Sequence, residues 1–339
     1  MSKKNSSVNL KKVFTDNKDL SKIFLNFKNK LDNLNEKSYL IAVSGGPDSL
    51  ALVALSQAYA LEKKIKFYYV LVNHNIRNKS LEEANKVKNL LKKKKINLIT
   101  ISNKKKITKN IQAEARNVRY DILSRFCKKK KIVTIVTAHN LEDQVETFLI
   151  RLSRGSGLKG LSSMKMLSKI NKQVYLFRPL LEIKKKFLIK ISKITFGKFF
   201  IDPSNKNLKY LRTKVRNLKK PLEKSGIKYD QIFKSIQNLS LSKDSLDEYM
   251  KRIFKELIKK NNREVLINFK KYKKLSNDIK IAVINESVKK IKNNYYDLRS
   301  KKVNNLINVL NKKNFKRSTL GGCFFSKKGE NICLKAEKI

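Results

Sequence analysis

A glycine-rich segment, Ser44-Gly45-Gly46-Pro47-Asp48-Ser49, combines residue types that are suited to binding phosphate groups. It follows an apolar run, residues 39–43, and precedes a predicted helix. Backbone N–H groups at the start of a helix are free to bind an anion, and glycines let the backbone approach it closely. Ser44 and Ser49 add hydroxyl donors, and Asp48 can hold a divalent cation such as Mg²⁺ between phosphates. The segment predicts a nucleotide-binding loop, with a capped Gly-Pro turn as the purely structural alternative.

This loop is not a Walker A motif, because the terminal Gly-Lys-Ser/Thr is missing. A second segment, Gly155-Ser156-Gly157-Leu158-Lys159-Gly160, matches the dinucleotide-binding pattern GxGxxG. It follows a predicted helix rather than a strand, so the context that the pattern requires is missing. We interpret it as a basic loop at the rim of the site.

Asp143 and Glu146 lie three residues apart on a predicted helix and therefore share one face of it. Two carboxylates beside a nucleotide can hold an ammonium group, or one can take the proton of an attacking amine. The sequence does not decide which of the two is the base. A solvated acidic helix face is the structural alternative, and it is less favoured in a chain with only 27 acidic residues.

Histidine and arginine are scarce, and their positions are informative. His74 and His139 each follow an apolar run, at the end of a strand where α/β sheets bind ligands, so both are candidates to contact phosphate or adenine. Only 13 arginines accompany 67 lysines, which suggests a need for the planar, bidentate guanidinium where arginine occurs. Surface ion pairs are the alternative for some of them. The arginine candidates for binding RNA, phosphate or a carboxylate are Arg116, Arg119, Arg154, Arg178, Arg212 and Arg216.

Strand-like and helix-like segments alternate over the first two thirds of the chain, which predicts βαβ units and an α/β fold with a parallel sheet. The predicted strands are residues 39–43, 67–72, 97–101 and 132–137, and the predicted helices between them are 50–61, 81–91 and 111–127. We expect residues 1–36 to form a polar, partly helical extension, residues 37–220 the nucleotide-binding domain, and residues 221–339 a smaller, mainly helical and basic domain. In that last region the pattern predicts helices at 232–239, 246–257 and 279–291, and a hairpin from 319–325 and 331–336.

The formal net charge is +53, from 80 Lys and Arg against 27 Asp and Glu, and such a field attracts phosphate backbones. The abundance of Lys, Asn and Ile also fits a genome poor in G and C, so charge is only supporting evidence for a nucleic-acid partner. No run of eighteen apolar residues occurs and the basic N-terminus precedes no apolar segment, which predicts a cytoplasmic protein without a membrane span. Three cysteines without a CxxC pair argue against a zinc site or a disulfide framework.

The Ser44–Ser49 segment resembles the signature of the N-type ATP pyrophosphatases, also called PP-loop enzymes. Further motifs make the ordered set similar to the tRNA(Ile)-lysidine synthetase family. These motifs are residues 72–77, 114–120, 137–147, 154–157, 178–181 and 202–205, followed by Arg212 and Arg216. The resemblance covers roughly residues 38–220, and residues 320–323 resemble the end of the family's first C-terminal domain. The chain is expected to be too short for the second C-terminal domain of longer members.

The resemblance implies an adenine-nucleotide alpha hydrolase-like fold and a ligase that uses ATP with Mg²⁺. It implies that the wobble cytidine in the CAU anticodon of tRNA(Ile) is adenylated at its C2 carbonyl. Free L-lysine then displaces AMP through its ε-amine, which gives lysidine, AMP and pyrophosphate. In this scheme Asp48, His139 and Asp143 are the catalytic candidates, and Asp143 with Glu146 is the candidate lysine site.

Other functions remain alternatives. A tRNA thiolase of the same superfamily is expected to need reactive or cluster-binding cysteines, and no CxxC supports one. A glutamine-dependent amidating synthetase needs an ammonia source, for which no Cys/His pair is evident. A non-catalytic basic RNA-binding protein is the alternative from another class, and Asp48, His139 and Asp143 argue against it. The sequence does not show how tRNA(Ile) is distinguished from tRNA(Met), or whether the protein is a homodimer.

Overall fold

The computed structural model describes residues 10, 12–76, 79–104, 107, 111–162, 164–201, 207–261, 264–292, 298–312 and 314–337. Arg77 and the motif at residues 202–205 therefore lie outside the described residues. The chain divides into two compact units, Met1–Ser240 and Leu241–Ile339.

A six-stranded sheet forms the centre of the first unit. Its strands are β1 Ser38–Val43, β2 Lys66–Asn73, β3 Leu98–Ser102, β4 Thr134–Val136, β5 Leu167–Lys169 and β6 Tyr175–Phe177. The order is β3-β2-β1-β4-β6-β5, and all neighbours are parallel except β5 and β6. The predicted parallel sheet and its first four strands are confirmed. Strands β5 and β6 were missed because three residues are too few to establish a period of two.

Helices cover both faces of this sheet, as the apolar strands require. The helices before Tyr229 are α1 Lys18–Asp32, α2 Pro47–Ala60, α3 Ser80–Lys93, α4 Ile111–Lys130, α5 Leu141–Leu152, α6 Leu158–Leu161, α7 Lys185–Phe196, α8 Leu211–Asn217 and α9 Lys219–Lys224. Along β1, Tyr39 and Ile41 belong to the core that includes α1, α2 and α7, whereas Leu40 packs with α4 on the other face. The alternation of strand side chains thus divides the core into two layers.

Residues 18–32 form the helical part of the expected N-terminal extension, but they are packed into the core rather than projecting from it. They form α1, an amphipathic helix whose Leu20, Ile23, Phe27 and Leu31 are buried in the core of the first unit. Asn17 caps it by accepting a hydrogen bond from the backbone N–H of Leu20 at 3.2 Å. Lys18 and Lys22 are exposed, whereas Lys30 is largely buried and its Nζ donates to the Pro179 carbonyl oxygen at 3.1 Å and to Glu182 at 2.9 Å.

The second unit combines helices with an antiparallel sheet. Helix α10 Tyr229–Leu257 contains the division between the units and is followed by β7 Ile258–Lys260, β8 Glu264–Asn268, α11 Phe269–Lys273, α12 Asn277–Ile291, α13 Ser300–Leu310, β9 Arg317–Leu320, β10 Cys323–Lys328 and β11 Asn331–Ala336. The sheet order is β7-β8-β11-β10-β9. The predicted helical content and the hairpin of β10 and β11 are present, and the other three strands are additional. Gly321 and Gly322, with φ of +64° and +69°, turn the chain between β9 and β10 and so interrupt the expected strand 319–325.

The division between units falls after Ser240, rather than near Pro221 as expected. Tyr229 and Ile236, in the first part of α10, are buried against Leu141 and Val145 of α5. This packing assigns the start of α10 to the first unit, and the two predicted helices at 232–239 and 246–257 are parts of one continuous helix. Among the described helices, none is both long and apolar enough to cross a membrane.

Candidate active site

The glycine-rich loop lies at the centre of the sheet's carboxyl edge. It follows β1, which has β2 on one side and β4 on the other. The connection from β1 leads to the β2 side of the sheet, and the connection from β3 returns to β4 on the other side, so the strand order reverses at β1. Open α/β sheets bind ligands at such a switch point. Gly45 has φ of +80°, and its carbonyl oxygen accepts a hydrogen bond from the Phe200 N–H at 3.0 Å. Gly46 is the N-cap of α2 and Pro47 is its first residue.

The two serines of the loop bond to each other. The Ser49 hydroxyl accepts from the Ser44 N–H at 3.2 Å and from the Ser44 hydroxyl at 3.1 Å. It also donates to the Gly46 carbonyl oxygen at 3.0 Å. These bonds hold the loop in its turn, so the hydroxyls that we predicted as ligand donors stabilise the loop itself in this structure.

Replacing Gly45 with alanine is expected to destabilise the first unit by about 2–4 kcal/mol, because it adds left-handed backbone strain to overpacking. A Cβ at this position would lie 2.4 Å from Val87 Cγ2. Gly46→Ala is the matched control, since its Cβ would meet only Ser44 Oγ at 3.7 Å and the Phe200 carbonyl oxygen at 3.9 Å. Urea unfolding measures both variants.

Adding Val87→Ala removes the steric overlap but leaves the strain at Gly45. The double variant should therefore lose less stability than the sum of the two single variants. If Gly45→Ala is no less stable than Gly46→Ala, the close packing of this loop against α3 is wrong.

Asp48 has an incompletely satisfied carboxylate. Its Oδ2 lies 3.7 Å from Nζ of Lys185, and its Oδ1 is buried and has no hydrogen-bond partner among the described residues. Burial raises the pKa of Asp48 to about 6, and the Lys185 ammonium opposes this shift. An unpartnered buried oxygen beside a phosphate loop fits a ligand of Mg²⁺. No group of three or more His, Cys, Asp or Glu able to hold a metal occurs among the described residues, so such a cation would need phosphate and water as its other ligands.

His139 lies just after β4, on the other side of the loop from β2. Its Nδ1 is 2.9 Å from Oγ1 of Thr137, which orients the ring. Burial, reinforced by the positive charge of Arg178, lowers the pKa of His139 well below its usual value. The imidazole is therefore neutral at physiological pH. It can donate or accept a hydrogen bond with a ligand, but it adds no positive charge to the site.

His74 lies just after β2 and is also neutral. Burial, with the nearby Arg119 guanidinium, lowers its pKa to about 4. Its Nε2 accepts a hydrogen bond from Arg119 Nε at 3.4 Å, so its Nδ1 carries the proton, and this buried atom has no partner among the described residues. An unsatisfied buried donor beside the nucleotide loop is suited to a ligand acceptor such as adenine or phosphate.

Asp143 and Glu146 lie on the first turns of α5. Asn140 caps this helix by accepting from the Asp143 N–H at 3.0 Å, and Asp143 Oδ2 accepts in return from the Asn140 N–H at 3.1 Å. This capping box places the Asp143 carboxylate at the start of the helix. The predicted shared face is confirmed, because both carboxylates bond to the same arginine, Arg212.

The two carboxylates form a closed cluster with Arg212 and Arg216 of α8, which we call the acid–arginine cluster. Arg212 donates from Nη2 to Asp143 Oδ1 at 2.6 Å and from Nε to Glu146 Oε2 at 2.8 Å. Arg216 donates from Nε and Nη2 to the two oxygens of Glu146, at 2.8 and 3.0 Å. The hydrogen bonds to Glu146 raise the pKa of Arg216. Two arginines that we predicted to contact RNA or phosphate thus neutralise the predicted lysine site.

The other arginine candidates differ in their exposure. Arg178 is buried, and its Nη1 donates to the Lys165 carbonyl oxygen at 2.8 Å and to Ser168 Oγ at 2.9 Å, so it stabilises the β5–β6 region. Arg116 and Arg119 are exposed on α4, and the Arg116 guanidinium lies 5.1 Å from the centre of the Tyr120 ring. Arg154 is exposed between α5 and α6. The second glycine-rich segment follows α5, so the dinucleotide interpretation of GxGxxG stays excluded.

The chain is similar in sequence to a known protein family and to several of its members. The model of the PP-loop domain family matches residues 18–222, which include α1. Over 324 residues the chain is 33% identical to the tRNA(Ile)-lysidine synthase of Wolbachia pipientis wMel, covering 94% of this chain and 75% of that protein. Over 307 residues it is 31% identical to the tRNA(Ile)-lysidine synthase of Rickettsia typhi (strain ATCC VR-144 / Wilmington), covering 89% and 70%.

Among solved structures, the chain is similar to a U34-tRNA thiolase from Methanococcus maripaludis that contains a [4Fe-4S] cluster. The TM-score is 0.54 at 19% sequence identity, and the likeness covers 65% of this chain and 77% of the thiolase. At this identity the likeness shows a common fold.

Proposed function

Because the chain belongs to the tRNA(Ile)-lysidine synthase family, we propose that it ligates free L-lysine to C2 of the wobble cytidine in the CAU anticodon of tRNA(Ile). The reaction converts ATP to AMP and pyrophosphate. The observation that carries this proposal is the meeting of three groups at one edge of the sheet. These are the phosphate loop with Asp48, neutral His139, and the acid–arginine cluster, whose Asp143 and Arg216 are close enough to Asp48 to affect its pKa.

In the first half-reaction the C2 carbonyl oxygen of cytidine attacks the α-phosphorus, and pyrophosphate leaves. The backbone N–H groups of the loop and the start of α2 bind the phosphates. Asp48 would hold Mg²⁺, which would supply positive charge to the phosphates. Neutral His139, oriented by Thr137, donates or accepts a hydrogen bond at the nucleotide without adding charge, and His74 offers its unpartnered Nδ1–H.

In the second half-reaction the lysine ε-amine attacks C2, and AMP leaves with the C2 oxygen. The amine must be neutral to attack, so its proton passes to a carboxylate. Asp143 is better placed to accept it than Glu146, because Arg212 is its one charged hydrogen-bond partner among the described residues, whereas two arginines donate three bonds to Glu146. Arg212 can release Asp143 when a phosphate offers it another anionic partner.

Exposed basic side chains are proposed to bind the tRNA backbone. Arg116, Arg119 and Arg154 remain at the surface around the site, and the whole chain carries a formal charge of +53. The unit from Leu241 to Ile339 is proposed to add further phosphate contacts. We propose that the enzyme acts in the cytoplasm, where its proposed tRNA substrate is found.

A steady-state assay of AMP and pyrophosphate release tests this function. Turnover is expected only when ATP, lysine and tRNA(Ile) with a CAU anticodon are all present, and tRNA(Met) is the matched control. Equal turnover with ammonia or sulfide in place of lysine would contradict the proposal.

The thiolase alternative is less favoured by the cysteines. Cys127, Cys323 and Cys333 are all buried, and burial raises the pKa of each thiol, to about 12 for Cys127. Reactive or cluster-binding cysteines need the opposite shift, toward the thiolate.

A further inference from the structure

Lys185, which lies between two other lysines, has a position that distinguishes it from them. It is the first residue of α7, and its Nζ lies 3.7 Å from Oδ2 of Asp48. Lys184 instead pairs with Asp230 at 2.5 Å, and Lys186 is exposed with its Nζ 5.1 Å from the Phe187 ring. The sequence contained no signal for this difference, because three consecutive lysines look alike.

The start of α7 is fixed by the start of α5. Its N-cap residue, Lys184, makes no side-chain cap, and instead Glu142 Oε2 accepts from the Lys185 N–H at 2.8 Å. In the same region the Leu141 N–H donates to the Ile183 carbonyl oxygen at 3.1 Å. The Glu142 carboxylate thus caps a helix on another segment of chain and determines where the Lys185 backbone lies.

The pair of Asp48 and Lys185 is open to a ligand. A separation of 3.7 Å is longer than a hydrogen bond, and both side chains retain part of their exposure, 24% for Asp48 and 34% for Lys185. Splitting ATP between its α and β phosphates builds negative charge on the departing pyrophosphate. An ammonium at this position can balance that charge as the bond breaks.

We infer that Lys185 is a further site residue that binds the departing pyrophosphate beside Asp48, and that Glu142 is the residue that positions it. This inference rests on the proposed use of Asp48 and the phosphate loop for ATP. It adds to that proposal a cation from α7, a helix outside the glycine-rich loop.

Direct binding of inorganic pyrophosphate, with and without Mg²⁺, tests the role of Lys185 without tRNA or lysine. Isothermal titration is expected to show at least about tenfold weaker binding for Lys185→Ala, and kcat/KM for ATP should fall about 100-fold. Lys185→Arg should keep part of the affinity. Lys186→Ala is the matched control and should stay within about threefold of the wild type, as for a surface charge.

Glu142 is tested by comparing alanine with glutamine. Glu142→Ala removes the cap of α7 and should weaken pyrophosphate binding as Lys185→Ala does. Glu142→Gln should restore binding, because its amide oxygen can still accept from the Lys185 N–H. A general structural role for Glu142 would instead lower the unfolding temperature of both variants and leave pyrophosphate affinity unchanged.

Equal pyrophosphate affinity in Lys185→Ala and Lys186→Ala would overturn the inference. A different result would contradict the proposed function alone: the wild type would bind pyrophosphate through Lys185 but would not turn over ATP with lysine and tRNA(Ile).

Discussion

Asp48→Asn is expected to reduce the turnover of ATP at least about 1,000-fold, because it removes the proposed metal ligand at the phosphate loop. Asparagine has nearly the same shape, and it cannot supply the carboxylate charge that Mg²⁺ prefers. Binding of tRNA at low salt should remain close to that of the wild type, since phosphate contacts by other basic residues dominate it. Rates of AMP release and filter binding of tRNA measure the two properties.

Asp19→Asn is the matched control for this change. Asp19 is exposed in the first turn of α1, outside the site, so its loss of charge should leave the rate unaltered. The unfolding temperature of Asp48→Asn should be at least that of the wild type, because a buried carboxylate oxygen without a partner has been neutralised. Parallel loss of tRNA binding and activity would favour the non-catalytic RNA-binding alternative.

Glu146→Gln is expected to destabilise the first unit by about 2–3 kcal/mol, because Arg212 and Arg216 lose the carboxylate between them. This loss of stability is smaller than the loss expected on breaking a fully buried ion pair, since the side chains of Arg212 and Arg216 are 36% and 33% exposed. The KM for lysine should rise as well, since Glu146 is part of the candidate lysine site. Urea unfolding and steady-state kinetics with varied lysine measure the two effects.

A double-mutant cycle separates the charge pair from other effects of Glu146→Gln. The double variant Glu146→Gln/Arg216→Gln has one unpaired arginine fewer than Glu146→Gln alone. It should therefore recover part of the stability that Glu146→Gln loses. The KM for lysine should not recover, because the carboxylate is still missing. Additive losses of stability in the double variant would contradict the acid–arginine cluster.

The phosphate loop was predictable from sequence because its determinants are local. Two glycines, a proline and an aspartate between an apolar strand and a helix specify a turn at a helix start within six residues. The parallel sheet was predictable for a similar reason, since buried strands and amphipathic helices carry their periodicity in short windows. The strands that were missed, β5 and β6, have only three residues each. The N-terminal extension was expected to be partly helical, and what its sequence did not show was that α1 packs into the core.

Sequence alone therefore determined the fold class of the first unit, the position of the candidate phosphate loop at a helix start, and the shared face of Asp143 and Glu146. Only the tertiary structure decided what those carboxylates contact, because Arg212 and Arg216 are 66 to 70 residues further along the chain. It also separated Lys185 from its neighbouring lysines, through a cap supplied by Glu142, 43 residues away. Hydrogen bonds between distant segments depend on where the folded helices lie, and no local pattern of residue types encodes that.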